Sequence, residues 1–300
     1  MDLTELDHRT RAAAYDALAR DRGGFAMVAL DQRGSMEALF RDAGRAPDQD
    51  AIDDFRSAAA AALIPDASAI LLERGFLSRR HTVGAWTAHC GLIVAADELV
   101  QPVGMPVEAS LLDPAGAEVA TALGAPALKL LVVWQAGQPN ADQLAVVESF
   151  LELARQRTML AIVEGIVRGD GARPPNGSDL VEAAARLSAG ADIYKAQVPI
   201  HDGDRPAQVE ALSGELSAVI HCPWVVLSAG VPAERFPEFV AASCRGGASG
   251  FLAGRAIWGR SITASDQAAH LLAHAAPRLR ELAAIVDAEA RPWRDVPNAA

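Results

Sequence analysis

The chain has 300 residues, of which 51% are hydrophobic, which is enough for one large domain or two small ones. Its formal net charge of −11 at pH 7 argues against non-specific binding to nucleic acid or to an anionic membrane surface. The segment Met1–Arg22 lacks the apolar core of a signal peptide, and no apolar run reaches the roughly 18 residues of a membrane span. We therefore expect a cytoplasmic protein that binds neither membrane nor nucleic acid.

The predicted elements alternate between helices and short apolar runs. A helix over Thr4–Arg20, within residues 1–22, comes first. Eight apolar runs rich in β-branched residues follow: Phe25–Leu30, Ser68–Leu72, Gly91–Ala95, Ala127–Trp134, Met159–Val163, Asp192–Val198, Trp224–Leu227 and Gly250–Ala253. The clearest helical patterns between them are Asp50–Leu63, Asn140–Arg157, Ser178–Ala189, Pro206–Val219 and Ala233–Cys244. Ser178 is predicted to cap its helix, and Pro232 to start the last one.

This alternation predicts a (β/α)8 barrel. Near-continuous apolar runs are typical of parallel strands that are covered on both faces. Eight strands separated by helices close on themselves as a TIM barrel, with the N-terminal helix plugging or flanking its floor. An open, doubly wound sheet is the alternative, which the lack of a Gly-x-Gly-x-x-Gly motif after the first run makes weaker.

Three further segments complete the chain. Glu98–Pro114 is predicted as a long irregular connection, Asp266–Ala290 as a long C-terminal helix, and Arg291–Ala300 as a loose tail. No low-complexity linker marks a second domain, so we expect one domain over residues 1–300. The three cysteines, Cys90, Cys222 and Cys244, are widely spaced, as is typical of reduced thiols buried as small hydrophobic side chains.

Lysine is scarce in this chain. Of the 27 basic residues only Lys129 and Lys195 are lysines, and the others are arginines. A lysine that remains is expected where arginine cannot serve, for example where an uncharged, nucleophilic amine is needed, because a guanidinium does not deprotonate. Genomic codon bias is an alternative explanation for the scarcity, but not for the positions of the two lysines.

Polar residues interrupt or follow the apolar runs where a barrel places its chemistry, at the C-terminal ends of the strands. Along the chain the polar ones are Asp31, Gln32, Arg33, Lys129, Glu164, Lys195, Ser228 and Arg255, and Ala229, Gly230 and Gly254 stand beside the last two. Two lysines and two carboxylates directed at one mouth are typical of an active site, because charged groups are costly to bury in a hydrophobic core.

Lys195 is the candidate nucleophile, because burial and a nearby cation both favour a neutral amine that can attack a ketone. Lys129 is a candidate for that second positive charge, and Asp31 and Glu164 are candidates for general acid–base catalysis. The alternatives are structural: Lys195 can be paired with an acid, Lys129 can form an ion pair with Glu164 or Asp31, and the carboxylates can do no more than orient the lysines.

Two stretches are candidates for binding phosphate. Ser228-Ala229-Gly230 and Gly254-Arg255 end the last two strands, where barrels often bind phosphate through backbone N–H groups. Tight turns are the alternative reading. Arg33 or Arg168 is a candidate for a second anion site. The histidines, among them His81, His89, His201 and His221, show no metal-ligand spacing, so no metal or cofactor is expected.

Four stretches carry a resemblance to a known family. Gly23–Arg33, Ile93–Asp97, Ala127–Leu131 and Ser249–Ala256 read GGFAMVALDQR, IVAAD, ALKLL and SGFLAGRA. The sequence resembles the class I sulfofructosephosphate aldolases, relatives of tagatose 1,6-bisphosphate aldolase, over about residues 20 to 290. The resemblance implies a Schiff base on Lys195, with Asp31, Lys129 and Glu164 around it. It also implies anion-binding loops at Ser228, Gly230, Gly254 and Arg255.

Three departures from that family bear on the substrate. Glycine, not proline, follows both Glu164 and Arg168. Ala196-Gln197 stands where the family has Val-Glu, and Ser228-Ala229-Gly230 is the version found in the tagatose enzymes. We expect an enzyme, forming a homo-oligomer, that cleaves 6-deoxy-6-sulfofructose 1-phosphate or, alternatively, tagatose or fructose 1,6-bisphosphate. A barrel isomerase, or a silent sugar-phosphate sensor, is the alternative from another class.

Overall fold

The computed structural model describes residues 3–80, 90–102, 105–171, 173–198, 205–228 and 231–297. Its strands are β1 (Phe25–Ala29), β2 (Ala69–Glu73), β3 (Gly91–Ala95), β4 (Asp97–Val100), β5 (Ala109–Leu112), β6 (Ala127–Gln135), β7 (Leu160–Arg168), β8 (Ile193–Gln197), β9 (Trp224–Leu227) and β10 (Gly250–Ala253). Eight of them form a closed parallel barrel in the spatial order β1-β10-β9-β8-β7-β6-β3-β2. The predicted (β/α)8 barrel is therefore confirmed.

Helices surround the barrel. They are α1 (Leu3–Leu18), α2 (Gly34–Asp42), α3 (Gln49–Leu63), α4 (Arg74–Arg79), α5 (Pro114–Leu123), α6 (Ala141–Gln156), α7 (Gly177–Leu187), α8 (Pro206–Val219), α9 (Phe236–Arg245), α10 (Arg255–Trp258), α11 (Gln267–His270) and α12 (Ala276–Glu289). Among the described residues, no helix combines the length and the apolar character needed to cross a lipid bilayer.

Alternation along each strand divides the core in two. In β1, Phe25, Met27 and Ala29 belong to the barrel interior, whereas Ala26 and Val28 pack in the layer between barrel and helices. All five of these side chains are buried, because a parallel strand inside a helical ring has no solvent face. This explains why the sequence shows continuous apolar runs without alternation.

Helix α1 closes the end of the barrel opposite the mouth. Tyr15 and Leu18 join the interior core, and the Tyr15 hydroxyl donates to the Asp192 carbonyl, 2.7 Å away, just before β8. The predicted position of the N-terminal helix at the barrel floor is thus correct.

The connection over residues 98–114 is more ordered than predicted. Strands β4 and β5 form an antiparallel hairpin, with Asp97 paired to Leu112 and Val100 to Ala109. The sequence pattern missed it because each strand has four residues and Pro102 and Pro106 dominate the turn between them. Residues 103 and 104 lie outside the described residues.

The prediction of a loose tail is wrong for residues 291–297. Trp293 and Val296 are 4% and 7% exposed, and the segment forms a short 3-10 helix over Trp293–Asp295. The Trp293 ring stacks on Tyr15 with centroids 4.7 Å apart, and its backbone N–H donates to the Gly23 carbonyl at 2.9 Å. One large aromatic side chain in a polar sequence therefore anchors this segment to the barrel floor.

Helix ends also depart from the sequence patterns. Asn176, not Ser178, caps α7, because its side chain accepts from the Asp179 N–H at 3.1 Å while the Asp179 carboxylate accepts from the Asn176 N–H. Pro232 opens a turn, and α9 begins at Phe236. The long C-terminal helix contains a π-helical turn over Leu271–Ala275 between α11 and α12.

The docking of Trp293 yields a first prediction. Trp293→Ala should lower the free energy of unfolding by about 3–5 kcal/mol in urea titrations, because it removes a buried aromatic side chain from the floor. Leu272→Ser, at a position that is 62% exposed, is the matched control and should change the free energy by less than about 0.5 kcal/mol. Equal midpoints for wild type and Trp293→Ala would contradict the docking.

Candidate active site

A cavity of about 540 Å³ lies at the mouth of the barrel, where the strands end. Of the twelve residues predicted for the site, ten line it: Asp31, Gln32, Arg33, Lys129, Glu164, Arg168, Lys195, Ser228, Gly254 and Arg255. The other two, Ala229 and Gly230, lie outside the described residues. The fold thus brings together residues that are up to 224 positions apart in the chain, from Asp31 to Arg255.

Strand register places the two lysines beside one carboxylate. Lys129 lies opposite Ile162 in the β6–β7 pairing, and Glu164 lies opposite Lys195 in the β7–β8 pairing. The three side chains point into the mouth, where their polar atoms meet. Their exposed fractions are 1% for Lys129, 6% for Glu164 and 3% for Lys195.

Lys129 is surrounded by carboxylates. Its Nζ lies 2.9 Å from Asp31 Oδ2, 3.2 Å from Asp97 Oδ2 and 2.8 Å from Glu164 Oε2. Burial alone would lower the pKa of Lys129, but the three negative charges outweigh it and raise this pKa well above its ordinary value. Lys129 is therefore a permanent cation, and its charge is shared by three anions.

Lys195 has fewer ionic contacts than Lys129. Within the described part of the chain its ionic contact is Glu164, whose Oε2 lies 3.0 Å from Lys195 Nζ and is the same atom that contacts Lys129. Burial raises the pKa of Glu164, but Lys129 and then Lys195 outweigh this and lower it. Glu164 Oε2 thus lies between the two lysine amines and links them.

Asp31 is an anion at any working pH. Burial raises its pKa, but the charge of Lys129 and then that of Lys195 outweigh this effect and lower the pKa to about 2. Asp31 is 7% exposed, and its Oδ2 accepts a hydrogen bond from Lys129 Nζ at 2.9 Å. A carboxylate held in this way stabilises positive charge in the mouth.

Asp97 belongs to this cluster and was not among the predicted site residues. It is 2% exposed, accepts from Lys129 Nζ and from the Leu131 N–H at 2.9 Å, and pairs with Arg33 Nη2 at 3.0 Å. The sequence does carry a signal for it, because Asp97 lies two residues after the end of β3, as Asp31 does after the end of β1.

The cations of the mouth have different partners. Arg33 pairs with Asp97, and the Arg168 guanidinium donates to the Val107 carbonyl of the hairpin. Arg255 is exposed, and its side chain has no polar partner among the described residues. Arg255 is therefore the mouth arginine that is most available to an anionic ligand.

Gly254 is needed for packing beside this arginine. A Cβ atom there would lie 2.6 Å from the Ala29 carbonyl and 2.8 Å from Gln32 Nε2, both closer than real Cβ atoms approach. Its neighbour in the mouth, Ser228, is 8% exposed. Glycine thus lets the end of β10 approach the end of β1.

Gln197, which stands where the family has a carboxylate, accepts from the Val167 N–H at 2.8 Å and ties β8 to β7. All three cysteines are buried, and burial raises the pKa of each thiol to about 12. His81, His89 and His201 lie outside the described residues; within them, no group of three potential metal ligands occurs.

The chain matches the model of the DeoC/LacD family of aldolases over residues 25–260, and it belongs to that family. It is 24% identical to a tagatose 1,6-diphosphate aldolase of Listeria monocytogenes over 277 residues, which cover 82% of this chain and 80% of the relative. It is also 24% identical to tagatose 1,6-diphosphate aldolase 2 of Enterococcus faecalis over 286 residues, with 84% of each chain covered. The protein is therefore an aldolase, a carbon–carbon lyase.

Solved structures share the barrel. A fructose-bisphosphate aldolase from Plasmodium falciparum superimposes with a TM-score of 0.76 at 14% identity, covering 97% of this chain and 98% of that one. An archaeal fructose-1,6-bisphosphate aldolase, whose catalytic lysine is covalently bound to a carbinolamine intermediate, superimposes with a TM-score of 0.61 at 18% identity, covering 92% and 99%. At these identities the likeness concerns the fold.

The lowered pKa of Asp31 yields a second prediction. Because this pKa of about 2 lies below the ordinary value of 3.8, ionised Asp31 stabilises the fold above about pH 4, and the contribution is lost as the pH falls through about 2. The free energy of unfolding of wild type should exceed that of Asp31→Asn by about 2 kcal/mol near neutral pH and converge with it towards pH 2.

Urea titrations of both proteins between pH 2 and 7 measure this difference. Asp170→Asn, in an exposed loop, is the control and should follow wild type throughout. A difference between wild type and Asp31→Asn that does not change with pH would show that the Asp31 charge is not what stabilises the fold.

Proposed function

We propose that this aldolase cleaves a ketose 1-phosphate through a Schiff base on Lys195. The observation that carries the proposal is the pair of lysines at one carboxylate: Lys129 is enclosed by three anions, whereas Lys195 faces the cavity beside Glu164 Oε2. An amine in the mouth of a barrel, beside an acid–base group, is what iminium catalysis requires. The proposal includes a cytoplasmic, single-domain enzyme that uses no metal or organic cofactor.

The reaction would proceed in balanced steps. The neutral Lys195 amine adds to the C2 ketone, and loss of water gives an iminium. A carboxylate takes the proton of the C4 hydroxyl, the C3–C4 bond breaks, and its electron pair moves into the iminium to give an enamine. The three-carbon aldehyde leaves, the enamine is protonated at C3, and water releases dihydroxyacetone phosphate and the free amine.

The geometry suggests a division of work between the carboxylates. Glu164 contacts the Lys195 amine directly through Oε2, which suits the proton transfers of carbinolamine formation and dehydration. Lys129 holds Asp31 as an anion, and this negative charge suits a group that faces the cationic iminium. Since Glu164 serves the Lys195 amine, we assign the C4 hydroxyl proton to Asp31, the other carboxylate that we propose for acid–base catalysis.

We propose 6-deoxy-6-sulfofructose 1-phosphate as the substrate, with dihydroxyacetone phosphate and sulfolactaldehyde as products. Arg255, with Ser228 and Gly254 beside it, would bind the dianionic phosphate. Sulfonate at the far end is a monoanion and needs less positive charge. Arg33 is already neutralised in part by Asp97, whereas Arg168 donates to the neutral Val107 carbonyl and keeps its charge. The remaining charge of about one cation fits a monoanion at the far end.

Tagatose or fructose 1,6-bisphosphate is the second candidate substrate. The curated relatives at 24% identity are named as tagatose 1,6-diphosphate aldolases, and the sequence ends β9 with the Ser-Ala-Gly version of the loop. The products would then be dihydroxyacetone phosphate and glyceraldehyde 3-phosphate, and the chemistry on Lys195 would be unchanged.

Borohydride trapping tests the Schiff base. With dihydroxyacetone phosphate and EDTA present, reduction should add one covalent mass to Lys195, found by peptide mass spectrometry. Lys195→Ala and Lys195→Arg should both lose trapping and turnover, because a guanidinium is not a usable nucleophile. Since Lys129 is the other lysine of the chain, a label that persists in Lys195→Arg and maps to Lys129 would overturn the assignment.

The anion sites are tested by substitution and by substrate comparison. Arg255→Ala should raise KM steeply and lower kcat/KM by about 2–5 kcal/mol, because it removes the cation that pairs with the phosphate. Arg260→Ala is the control, since Arg260 follows β10 as well but pairs with Glu234. The sulfosugar phosphate should exceed tagatose 1,6-bisphosphate in kcat/KM; the opposite order would reject the sulfonate and leave the aldolase intact.

A further inference from the structure

A ring of four charges lies behind the strand end that carries Asp31. Arg56 Nη1 is 3.2 Å from both Asp53 Oδ1 and Glu73 Oε1, and Arg79 contacts the same two carboxylates, Asp53 at 2.7 Å and Glu73 at 3.2 Å. Asp53 and Arg56 are almost fully buried, at 0% and 2% exposed. The ring joins α3, the end of β2 and α4, and none of the proposed catalytic steps uses it.

Within the described residues, Arg56 has a third partner that Arg79 does not contact. Its Nη2 donates to the backbone carbonyl of Gln32, the residue that directly follows Asp31. One terminal nitrogen of the guanidinium, Nη1, thus contacts the two carboxylates, while the other terminal nitrogen, Nη2, donates to the main chain next to Asp31. A lysine side chain in this position has a single nitrogen, so it cannot use separate nitrogens for the carboxylates and for the Gln32 carbonyl.

The main chain needs this contact where it leaves the barrel. The last barrel hydrogen bond of β1 runs from the Leu30 N–H to the Leu71 carbonyl at 2.9 Å, and the next backbone bonds are those to the Arg33 carbonyl in the first turn of α2. Among the described residues, the Arg56 guanidinium is the group that holds the backbone between these points. Asp31 and Gln32 lie in that interval.

Stability alone does not explain a buried arginine here. Arg79 already pairs with Asp53 and Glu73, and Glu73 also accepts from the Gly75 and Phe76 N–H groups at 2.7 Å each. Burying a charge costs desolvation that its ion pairs only offset, so an apolar side chain of similar volume would often serve stability equally well. The contact that requires an arginine is the one to Gln32.

We propose that Arg56 is a positioning residue for the proposed reaction: through the Gln32 carbonyl it fixes the backbone that directs Asp31 at the substrate. This inference rests on the proposed Schiff-base function. Arg56 acts on the carboxylate that takes the C4 proton and does not reach Lys195, so it should affect C3–C4 cleavage and leave formation of the Schiff base unchanged. A displacement of about 1 Å at a catalytic group can cost on the order of 100-fold in rate.

Two readouts on the folded protein separate positioning from general damage. The first is the rate of borohydride trapping of dihydroxyacetone phosphate, and the second is kcat for cleavage of the ketose 1-phosphate. Arg56→Lys should trap at the wild-type rate and keep KM within about threefold, while kcat falls 10- to 100-fold. Arg79→Lys disturbs the same two carboxylates without touching Gln32, and it should leave both rates unchanged.

Arg56→Met serves as a second variant if Arg56→Lys does not fold, because Asp53 and Glu73 remain paired with Arg79 when Arg56 is removed. Trapping at the wild-type rate with a lowered kcat is expected for this variant as well. Unchanged cleavage in the Arg56 variants, or an equal fall in trapping and cleavage, would overturn the positioning role. If wild type cleaves the sugar but is never trapped, the Schiff base fails. The role of Arg56 is then decided by kcat in Arg56→Lys against Arg79→Lys.

Discussion

The mouth of this barrel is organised around the ammonium group of Lys129. A charge that is 1% exposed would be prohibitively costly without partners, and here three carboxylates neutralise it at 2.8 to 3.2 Å. Each carboxylate comes from a different element: Asp31 follows β1, Asp97 begins the β4–β5 hairpin, and Glu164 lies on β7. One buried cation therefore sets the relative positions of three elements that line the cavity.

The same interaction makes the two lysines unequal. Both stand in apolar strands, and nothing in the residues on either side states which one is the nucleophile. In the fold, Lys129 has its donors used by Asp31, Asp97 and Glu164, whereas Lys195 meets Glu164 at the edge of an open cavity. Its three ion pairs suit Lys129 to electrostatic support, and Lys195 is then the lysine available for the covalent chemistry that we propose.

This acidic protein has a local cluster of arginines at its mouth. Its net charge is −11, yet the mouth presents Arg33, Arg168 and Arg255, each with a different prior partner. Arg33 is tied to a carboxylate, Arg168 to a carbonyl, and Arg255 faces the cavity. Because these partners differ, the positive potential differs from one part of the mouth to another. A substrate with two different anionic ends would bind in the orientation that this difference favours.

The barrel and most of its mouth are predictable from the sequence, because parallel strands that are buried on both faces must be apolar. A polar residue at the end of such a strand is therefore conspicuous. Asp31, Lys129, Glu164 and Lys195 were found in this way, and α1 was placed at the floor. Other features depend on contacts that no local pattern encodes. The hairpin joins short strands across a proline-rich turn. The Trp293 ring is buried against the Tyr15 ring, which comes from the other end of the chain.

The roles within the site likewise needed the tertiary structure. Asp97 gains its importance from Lys129 and Arg33, which lie 32 and 64 positions away along the chain. Arg56, on a helix with no polar residue of the mouth, reaches the active-site backbone through Gln32. Composition and periodicity fix which residues are buried and at which end of a strand they lie, whereas the sharing of one charge among several side chains depends on distances that only the closed barrel sets.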